Sequence, residues 1–443
     1  MLDIKFIRQN PQIIKEACRK KQVNVDIDRL LEIDKKRRQT IMAIEQMQAE
    51  KNKASKQIAN LKNKPERDKI ILEMQELDRS NDRLASDLKA LEEEFNALML
   101  QLPNPPLADV PEGKDDRDNK PIRQWGKPKQ FDFIPLDHVV LGEKLDLIDI
   151  EKAGKITGAR FGYLKREAAL LEFAIIQHTF NILTSTKILK SIADSVKKGY
   201  SAKTFIPVVP PVMIRPDVFR KMARLSEADK DERYYLPQDD LYLIGSAEHT
   251  LGPLHQDEII DEDELPIRYV GFSTCFRREA GAAGKDTRGI LRVHQFDKIE
   301  MESFTTPEKS LLEQNFFVAI QEYLVQSLKI PYQVVMICTG DMGKPDARQV
   351  DIECWLPGQN KYRETHTSDL MTDFQARRLN TRYRKKDKTV EFVHMNDATT
   401  FAIGRILIAI LENYQQKDGS IKIPTVLQKY IGKTEIKNKR GER

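Results

Sequence analysis

Residues 276–300, FRREAGAAGKDTRGILRVHQFDKIE, gather Arg277, Arg278, Arg288, Arg292, Lys285 and Lys298 with several carboxylates around a glycine-rich centre. The flanks IRYVGFSTCFRRE and RVHQFDKIEM read as strands, and AGAAGKDTRGIL reads as a loop whose glycines let backbone approach a ligand closely. Period two places Arg277 and Glu279 on one face of the first strand. On the second, Arg292, Phe296 and Glu300 share a face, with His294 and Lys298 nominally between them. Cation, aromatic ring and carboxylate in that order suit a ligand that is anionic at one end and flat at the other. The competing reading is an ion-pair ladder on a solvated sheet, because burying such charges without partners costs several kcal/mol.

Two kinds of element must carry this segment. From Ile27 to Leu100 the only proline is Pro65. Ile70, Met74, Leu77, Leu84, Leu88, Leu91, Phe95 and Leu98 follow alternating steps of four and three, broken at Asn81. A looser version runs through Leu30, Ile33, Ile44, Met47, Ala54, Ile58 and Leu61, interrupted by Arg37 and Lys51. The pattern predicts two long helices turning near Asn63-Lys64-Pro65 into an antiparallel hairpin, each limb about 50 Å long and projecting into solvent. Residues 29–69 hold twelve Lys/Arg against six Asp/Glu, and residues 70–100 hold three against eight. A solvated helix face accounts for either run alone, while the asymmetry favours a polyanion against the first limb and the tip.

Residues 102–131, dense in Pro, Gly, Asp and Lys, read as a linker. Beyond it LYLIG, IRYVGFSTCF, RVHQFDKIEM, YQVVMIC and QVDIECWLP alternate with helices, which predicts an antiparallel sheet flanked by helices, an α+β fold. No Walker-type loop or dinucleotide glycine fingerprint sits at a strand-to-helix junction. Cys18, Cys275, Cys338 and Cys354 and the seven histidines lack metal spacing, so the thiols read as reduced packing residues. The opening MLDIKFIRQN is charged where a signal peptide needs an apolar run, and no window approaches the roughly 18 apolar residues of a membrane span. A cytoplasmic protein with no membrane association is therefore expected, and the net charge of +5 is too mild to prove nucleic-acid binding by itself.

FRREAGAAGKDTRGILRVHQFDKIEM resembles the second signature motif of class II aminoacyl-tRNA synthetases in the form found in seryl-tRNA synthetases. The likeness continues in order through MLDIKFIRQNP, the helical arm, LGEKLDLIDIEKAGKITGARFGYLK, VVPPV, WLPGQNKYRE, DFQARR and FAIGRILIAILENYQQKDGSIKIPTVLQKYIG. It implies a tRNA-binding helical arm domain over 1–101, a linker over 102–131, a class II catalytic domain over 132–432 built on an antiparallel sheet, and a basic tail over 433–443. It further implies ATP-dependent attachment of L-serine to tRNA(Ser) through a seryl-adenylate, by a homodimer using Mg²⁺, with tRNA(Sec) an open second acceptor. A catalytically altered relative that only binds tRNA is the alternative.

Residue by residue, the resemblance implies that Arg277 grips the ATP α-phosphate beside Arg278 and Glu279, and that Arg292 faces the γ-phosphate. Val293 would touch the nucleotide, Phe296 would stack on adenine, and Arg405 would pack over adenine and reach the γ-phosphate. Glu364 and Thr367 would hold Mg²⁺, with Thr365 and His366 beside them at the ATP site. Serine would meet Ser246, Ala247, Glu248, Glu300 and Thr399, and tRNA would meet Lys35, Lys36, Arg38, Lys62, Lys64 and Arg67. The chain departs from the family pattern at Glu364-Thr365-His366-Thr367 (usually Glu-Ile-Ser-Ser), at Asn396-Asp397-Ala398-Thr399-Thr400 (usually Asn-Gly-Ser-Gly), and at Ser246 (usually Thr). Residues 185–205 are also longer than the expected link before VVPPV.

Overall fold

The computed structural model describes residues 1–60, 63–226, 229–280 and 288–437. Leu61 and Lys62 of the hairpin turn, the glycine-rich stretch 281–287 and tail residues 438–443 lie outside them. Contacts divide the chain into two units, Met1–Pro105 and Pro106–Arg443.

In the first unit, helices α1 (Ile27–Asn60) and α2 (Lys64–Gln101) form the hairpin, about 51 and 57 Å long at 1.5 Å per residue. Pro65 sits in the first turn of α2, where its missing N–H would be unpaired anyway. The charged residues that interrupt the first apolar seam are paired across the hairpin. Arg37 meets Glu92 at 3.1 Å while its guanidinium lies 5.2 Å from the Phe95 ring centre, and Lys51 pairs with Asp78. Arg29 meets Glu94 at 2.8 Å. Partners descend on one limb as they ascend on the other, so the limbs are antiparallel. Ile27, Leu30, Ile33, Phe95 and Met99 are buried at the hairpin base. There Arg8 of a short helix, Ile4–Gln9, is bound to buried Asp34 at 2.7 Å.

The second unit is organised by eight strands: β1 (Lys120–Trp125), β2 (Ile206–Val208), β3 (Ile267–Phe276), β4 (Gln295–Thr305), β5 (Tyr332–Met336), β6 (Arg348–Leu356), β7 (Lys361–Thr372) and β8 (His394–Ala402). Their spatial order is β1-β5-β6-β7-β8-β4-β3-β2, antiparallel throughout except for the β2/β3 pair. The expected linker is thus not free chain throughout, since Lys120–Trp125 pairs with β5 and Trp125 stacks on Tyr332 at 5.8 Å. Pro121 is tolerated because β1 is an edge strand, where a missing N–H leaves no ladder bond unmade. The long segment 185–205 forms a helix, Thr186–Val196, and then directs the Tyr200 hydroxyl to Glu313, which is ion-paired with fully buried Arg268 at 2.6 Å.

Strand alternation separates two chemistries. On β4, Ile299 and Met301 enter the apolar core with Phe316, Phe317, Ile320 and Leu324 of helix α3 (Ser310–Ser327), while Lys298, Glu300 and Glu302 are buried polar residues between them. Two bulges adjust this alternation. The register shifts between Ile299 and Glu300 opposite β8, leaving Thr400 unopposed, so that Phe401 joins the core although Thr399 does not. A second shift opposite Ile352/Glu353 leaves Thr365 unopposed on β7. Gln321 of α3 donates to the Thr367 and Thr399 carbonyls at 2.9 and 2.7 Å, which ties both irregular strands to one helix. Helix α4 (Ile403–Tyr414) follows β8 directly and carries Arg405 in its first turn.

Candidate functional site

One cleft of ≈ 200 Å³ opens on the polar face of strands β4, β7 and β8. Arg277, Glu279, Arg292, Val293, Phe296, Glu364, Thr365, Thr367, Thr399 and Arg405 line it, with Glu248 and Lys298. Residues more than a hundred positions apart are thereby brought together. Arg277 and Glu279 lie just beyond β3, and Arg292 and Val293 just before β4, so the two expected strands are shorter than their sequence pattern suggested. Leaving the ladder frees these side chains to turn into the cleft. Glu279 adopts a left-handed backbone conformation (φ 52°) and meets Arg292 at 2.5 Å. Arg277 lies 5.4 Å from the Phe296 ring centre and donates to the Gly245 carbonyl at 3.2 Å. At the opposite wall Arg405 meets Glu364 at 2.8 Å, and this carboxylate is half-exposed.

A polar cluster lies inside this arginine-lined opening. Ser246 and Thr399 donate to the same oxygen of Glu300, at 2.7 and 3.1 Å, and Glu300 is fully buried with its second oxygen unpartnered. Lys298 is ion-paired with Glu300 and donates to the Ser246 hydroxyl at 3.1 Å. The cleft therefore presents arginines and a ring at one end and Thr399 with Lys298 at the other, with Glu300 and Ser246 buried behind them.

The pattern described as the seryl-tRNA synthetase N-terminal domain matches residues 1–106, and that of the tRNA synthetase class II core domain (G, H, P, S and T) matches residues 233–414. A serine–tRNA ligase of Thermodesulfovibrio yellowstonii is 41% identical over 437 residues, covering 98% of this chain and 99% of the relative. The chain belongs to the seryl-tRNA synthetase family. Its backbone is similar to that of seryl-tRNA synthetase from Pyrococcus horikoshii, solved with ATP, at 37% identity and a TM-score of 0.88, covering 98% of this chain and 99% of the other. The cytoplasmic enzyme of Naegleria fowleri, solved with AMP, gives 31% and 0.85, covering 99% of each.

Not every residue expected at the synthetase site reaches the cleft, and Ser246 and Glu300 themselves are buried behind its lining. His366 lies between cleft-lining Thr365 and Thr367 but is fully buried, with its ring 5.1 Å from Phe401 and Nδ1 2.7 Å from the Thr365 hydroxyl. Burial pushes its pKa down to about 3, so the ring is neutral. The placement at the ATP site is therefore corrected to a packing position, because the bulge at Thr365 sends the intervening side chain into the core. Arg278 turns toward Tyr234, 5.5 Å from that ring centre, and does not line the cleft. Ala247 is fully buried. On the hairpin, Lys35, Lys36, Arg38, Lys64 and Arg67 are exposed, although Lys36 pairs with Glu32 at 2.6 Å and Arg38 with Asp34 at 3.1 Å; Lys62 lies outside the described residues.

Two features escaped the sequence reading. Lys298 is the ion-pair partner of Glu300, and strict period two already placed it on the face of Phe296 and Glu300. The second is a layer of acids beneath Glu300 and Thr399. Glu302 on β4 is directly opposite Asp397 on β8, and Asp397 is directly opposite Asp369 on β7. All three are buried, and Asp369 and Asp397 line the cleft. Arg224 lies among them, 3.3 Å from Asp397, 3.4 Å from Asp369 and 3.1 Å from Glu248. Burial, and after it the surrounding carboxylates, push Glu302 and Asp397 well above the ordinary range. Burial also acts on Glu248, but Arg224, Lys298 and Arg277 outweigh it and hold that carboxyl below its usual value. The departure from Asn-Gly-Ser-Gly was the available signal, since an Asp in that segment needs a buried counter-charge.

Proposed function

We propose that this chain attaches L-serine to tRNA(Ser) through a seryl-adenylate made from ATP. The observation that carries the reading is the convergence in one cleft of Arg277, Arg292, Arg405 and Phe296 with Thr399 and Lys298, behind which Glu300 and Ser246 are buried and hydrogen-bonded to them. Arg277 grips the α-phosphate, Arg292 and Arg405 take the γ-phosphate, Val293 contacts the nucleotide, and Phe296 stacks on adenine. Glu279 holds the Arg292 guanidinium in place. The serine hydroxyl is read by Glu300 and Thr399, with Ser246 and Glu248 completing the pocket. Alanine and glycine would leave the second oxygen of buried Glu300 without a partner, which discriminates more strongly than a hydrophobic pocket would.

The serine carboxylate, already ionised at neutral pH, attacks the α-phosphorus and pyrophosphate leaves. A ribose hydroxyl of the tRNA terminus then attacks the adenylate carbonyl and AMP leaves. Positioning and charge neutralisation by the arginines supply the catalysis. Glu364 and Thr367 offer an all-oxygen donor set at the cleft wall, which suits Mg²⁺ completed by phosphate and water. The ion would add positive charge beside the phosphates.

The remaining assignments are parts of the same reading. Residues 1–101 act as the tRNA-binding arm, through Lys35, Lys36, Arg38, Lys64 and Arg67, and the unit from Pro106 onward acts as the catalytic domain. tRNA(Sec) is the second acceptor to try. A homodimer is supported by the edge position of β2, beside exposed Ile206 and Val209, and by exposed Phe173. No helix among the described residues is long and apolar enough to cross a membrane, and we place the protein in the cytoplasm. Pyrophosphate exchange measured with each of the twenty amino acids, followed by charging of total tRNA, tests the proposal. Exchange with serine and a seryl-tRNA product are expected, and exchange with none of the twenty would refute it.

A further inference from the structure

The serine side chain, a single hydroxyl, has no cation to offer the acids beneath its proposed pocket. Glu300 and Thr399 are directly opposite one another on β4 and β8, and two residues further along the same strands stand Glu302 and Asp397, with Asp369 opposite on β7. Two residues along a strand are about 7 Å, so this row lies one layer deeper, where Asp369 and Asp397 line the same cleft and Glu302 is buried beside Asp397. Like charges directly opposite on paired strands destabilise a sheet, and here three carboxyls adjoin in the interior. Arg224 alone among the described cations meets Asp369, Asp397 and Glu248 together. Glu302 has neither oxygen hydrogen-bonded and is 0% exposed, and Asp369 keeps one buried oxygen unpartnered while lining the cleft. Among the described residues no group of three or more His, Cys, Asp or Glu is placed to hold a metal ion, so the row does not read as a metal site.

From this geometry we infer that the amino-acid pocket also accepts an α,ω-diamino acid of the length of 2,4-diaminobutyrate or ornithine, whose side-chain ammonium seats on the Asp369–Asp397–Glu302 row. The inference rests on the placement of the amino-acid pocket proposed above. Lys298 stands against the single carboxylate of Glu300 in the upper layer, whereas one layer deeper Arg224 alone among the described cations stands against Asp369, Asp397, Glu248 and Asp346 together, so an added ammonium is matched there. An ammonium with three donors reaches carboxylates on separate strands, which a single hydroxyl cannot. Activation follows the serine reaction, with the α-carboxylate attacking the α-phosphorus and pyrophosphate leaving, and the side-chain amine taking no part.

The test is pyrophosphate exchange by the full-length protein with serine, alanine, 2,3-diaminopropionate, 2,4-diaminobutyrate, ornithine and lysine, repeated on Asp397→Asn and Glu302→Gln. Exchange with 2,4-diaminobutyrate or ornithine well above the alanine rate is expected. Asp397→Asn should lower that kcat/KM about 10- to 100-fold more than it lowers the value for serine, the range for losing one charge-assisted bond. The thermal midpoint without ATP supplies a second readout. It should rise with diamino acid for the original protein and not for Asp397→Asn. Serine exchange with no diamino acid above alanine would overturn the inference and leave the serine reading standing. Equal losses for both substrates in Asp397→Asn would also overturn it. Diamino acid exchange without serine exchange would support the inference against the serine reading, and no exchange with any amino acid would remove both.

Discussion

The hairpin and the cleft solve opposite problems with charge. Along α1 and α2 the charged residues stand at the surface or bridge the limbs as Arg29–Glu94, Arg37–Glu92 and Lys51–Asp78, each at least a quarter exposed. Such pairs contribute little individually, and they leave Lys35, Lys36, Arg38, Lys64 and Arg67 exposed for a polyanion. In the cleft, acids are buried: Glu300, Glu302, Asp369 and Asp397 are at most 6% exposed, and Glu300 depends on Lys298 as Asp369 and Asp397 depend on Arg224. Solvent makes the hairpin's charges interchangeable and sensitive to salt. The interior makes the cleft's charges specific, and removing one leaves its partner stranded.

Glu300→Ala should break the cleft side of this contrast most severely. Serine-dependent pyrophosphate exchange is expected to fall by about 10²-fold or more, because a buried hydroxyl loses a charge-assisted partner. Near-normal exchange would remove Glu300 from the pocket.

Next in size is the hairpin. Replacing Lys35, Lys36, Arg38, Lys64 and Arg67 together by Gln should raise the KM for tRNA about tenfold or more while exchange stays within about threefold, since side chains bound to phosphates position the tRNA without touching the reacting groups. The log–log salt dependence of tRNA binding should flatten by roughly 0.7–0.9 for each phosphate that is no longer neutralised. An unchanged slope would show that these side chains are merely solvated.

A smaller effect is expected at Ser246, whose hydroxyl lies 2.7 Å from Glu300. Ser246→Thr keeps that hydroxyl and should alter the serine KM by less than about threefold, whereas Ser246→Ala should raise it by about tenfold. Equal effects would show that the hydroxyl is unused.

The last contrast is acid sensitivity. All seven histidines and both tryptophans, Trp125 and Trp355, belong to the second unit. Burial pushes His178 down to about 4 and His366 to about 3, against about 6.5 in an unfolded chain. Between those values the unfolded chain binds more protons at these histidines, so their contribution to the stability of this unit should fall as pH drops from about 6.5 toward 4. His178→Gln should flatten the slope by up to about 1.4 kcal/mol per pH unit, read by denaturant unfolding followed through tryptophan fluorescence. A slope unchanged by the substitution would mean that His178 is not held neutral.

Periodicity alone was enough for the hairpin, its turn at Pro65 and its interrupted seam, because helical spacing is local and a long amphipathic pattern admits few other readings. The strands around residues 267–276 and 295–305 were legible for the same reason, and motif order carried the family. The two strands at the centre of the sheet, Lys361–Thr372 and His394–Ala402, were not legible, although they bear Glu364, Thr367 and Thr399. Polar residues fill the strand faces that line a site, so these strands lack the apolar alternation that announces an exposed sheet. Which side chains face the cleft was set by pairing register. The bulges at Thr365 and Thr400 send His366 and Phe401 into the core, and the partner strands that fix those bulges lie elsewhere in the chain. The same cross-strand register aligns Asp369, Asp397 and Glu302, three acids separated in sequence whose mutual repulsion exists only once β7, β8 and β4 lie side by side.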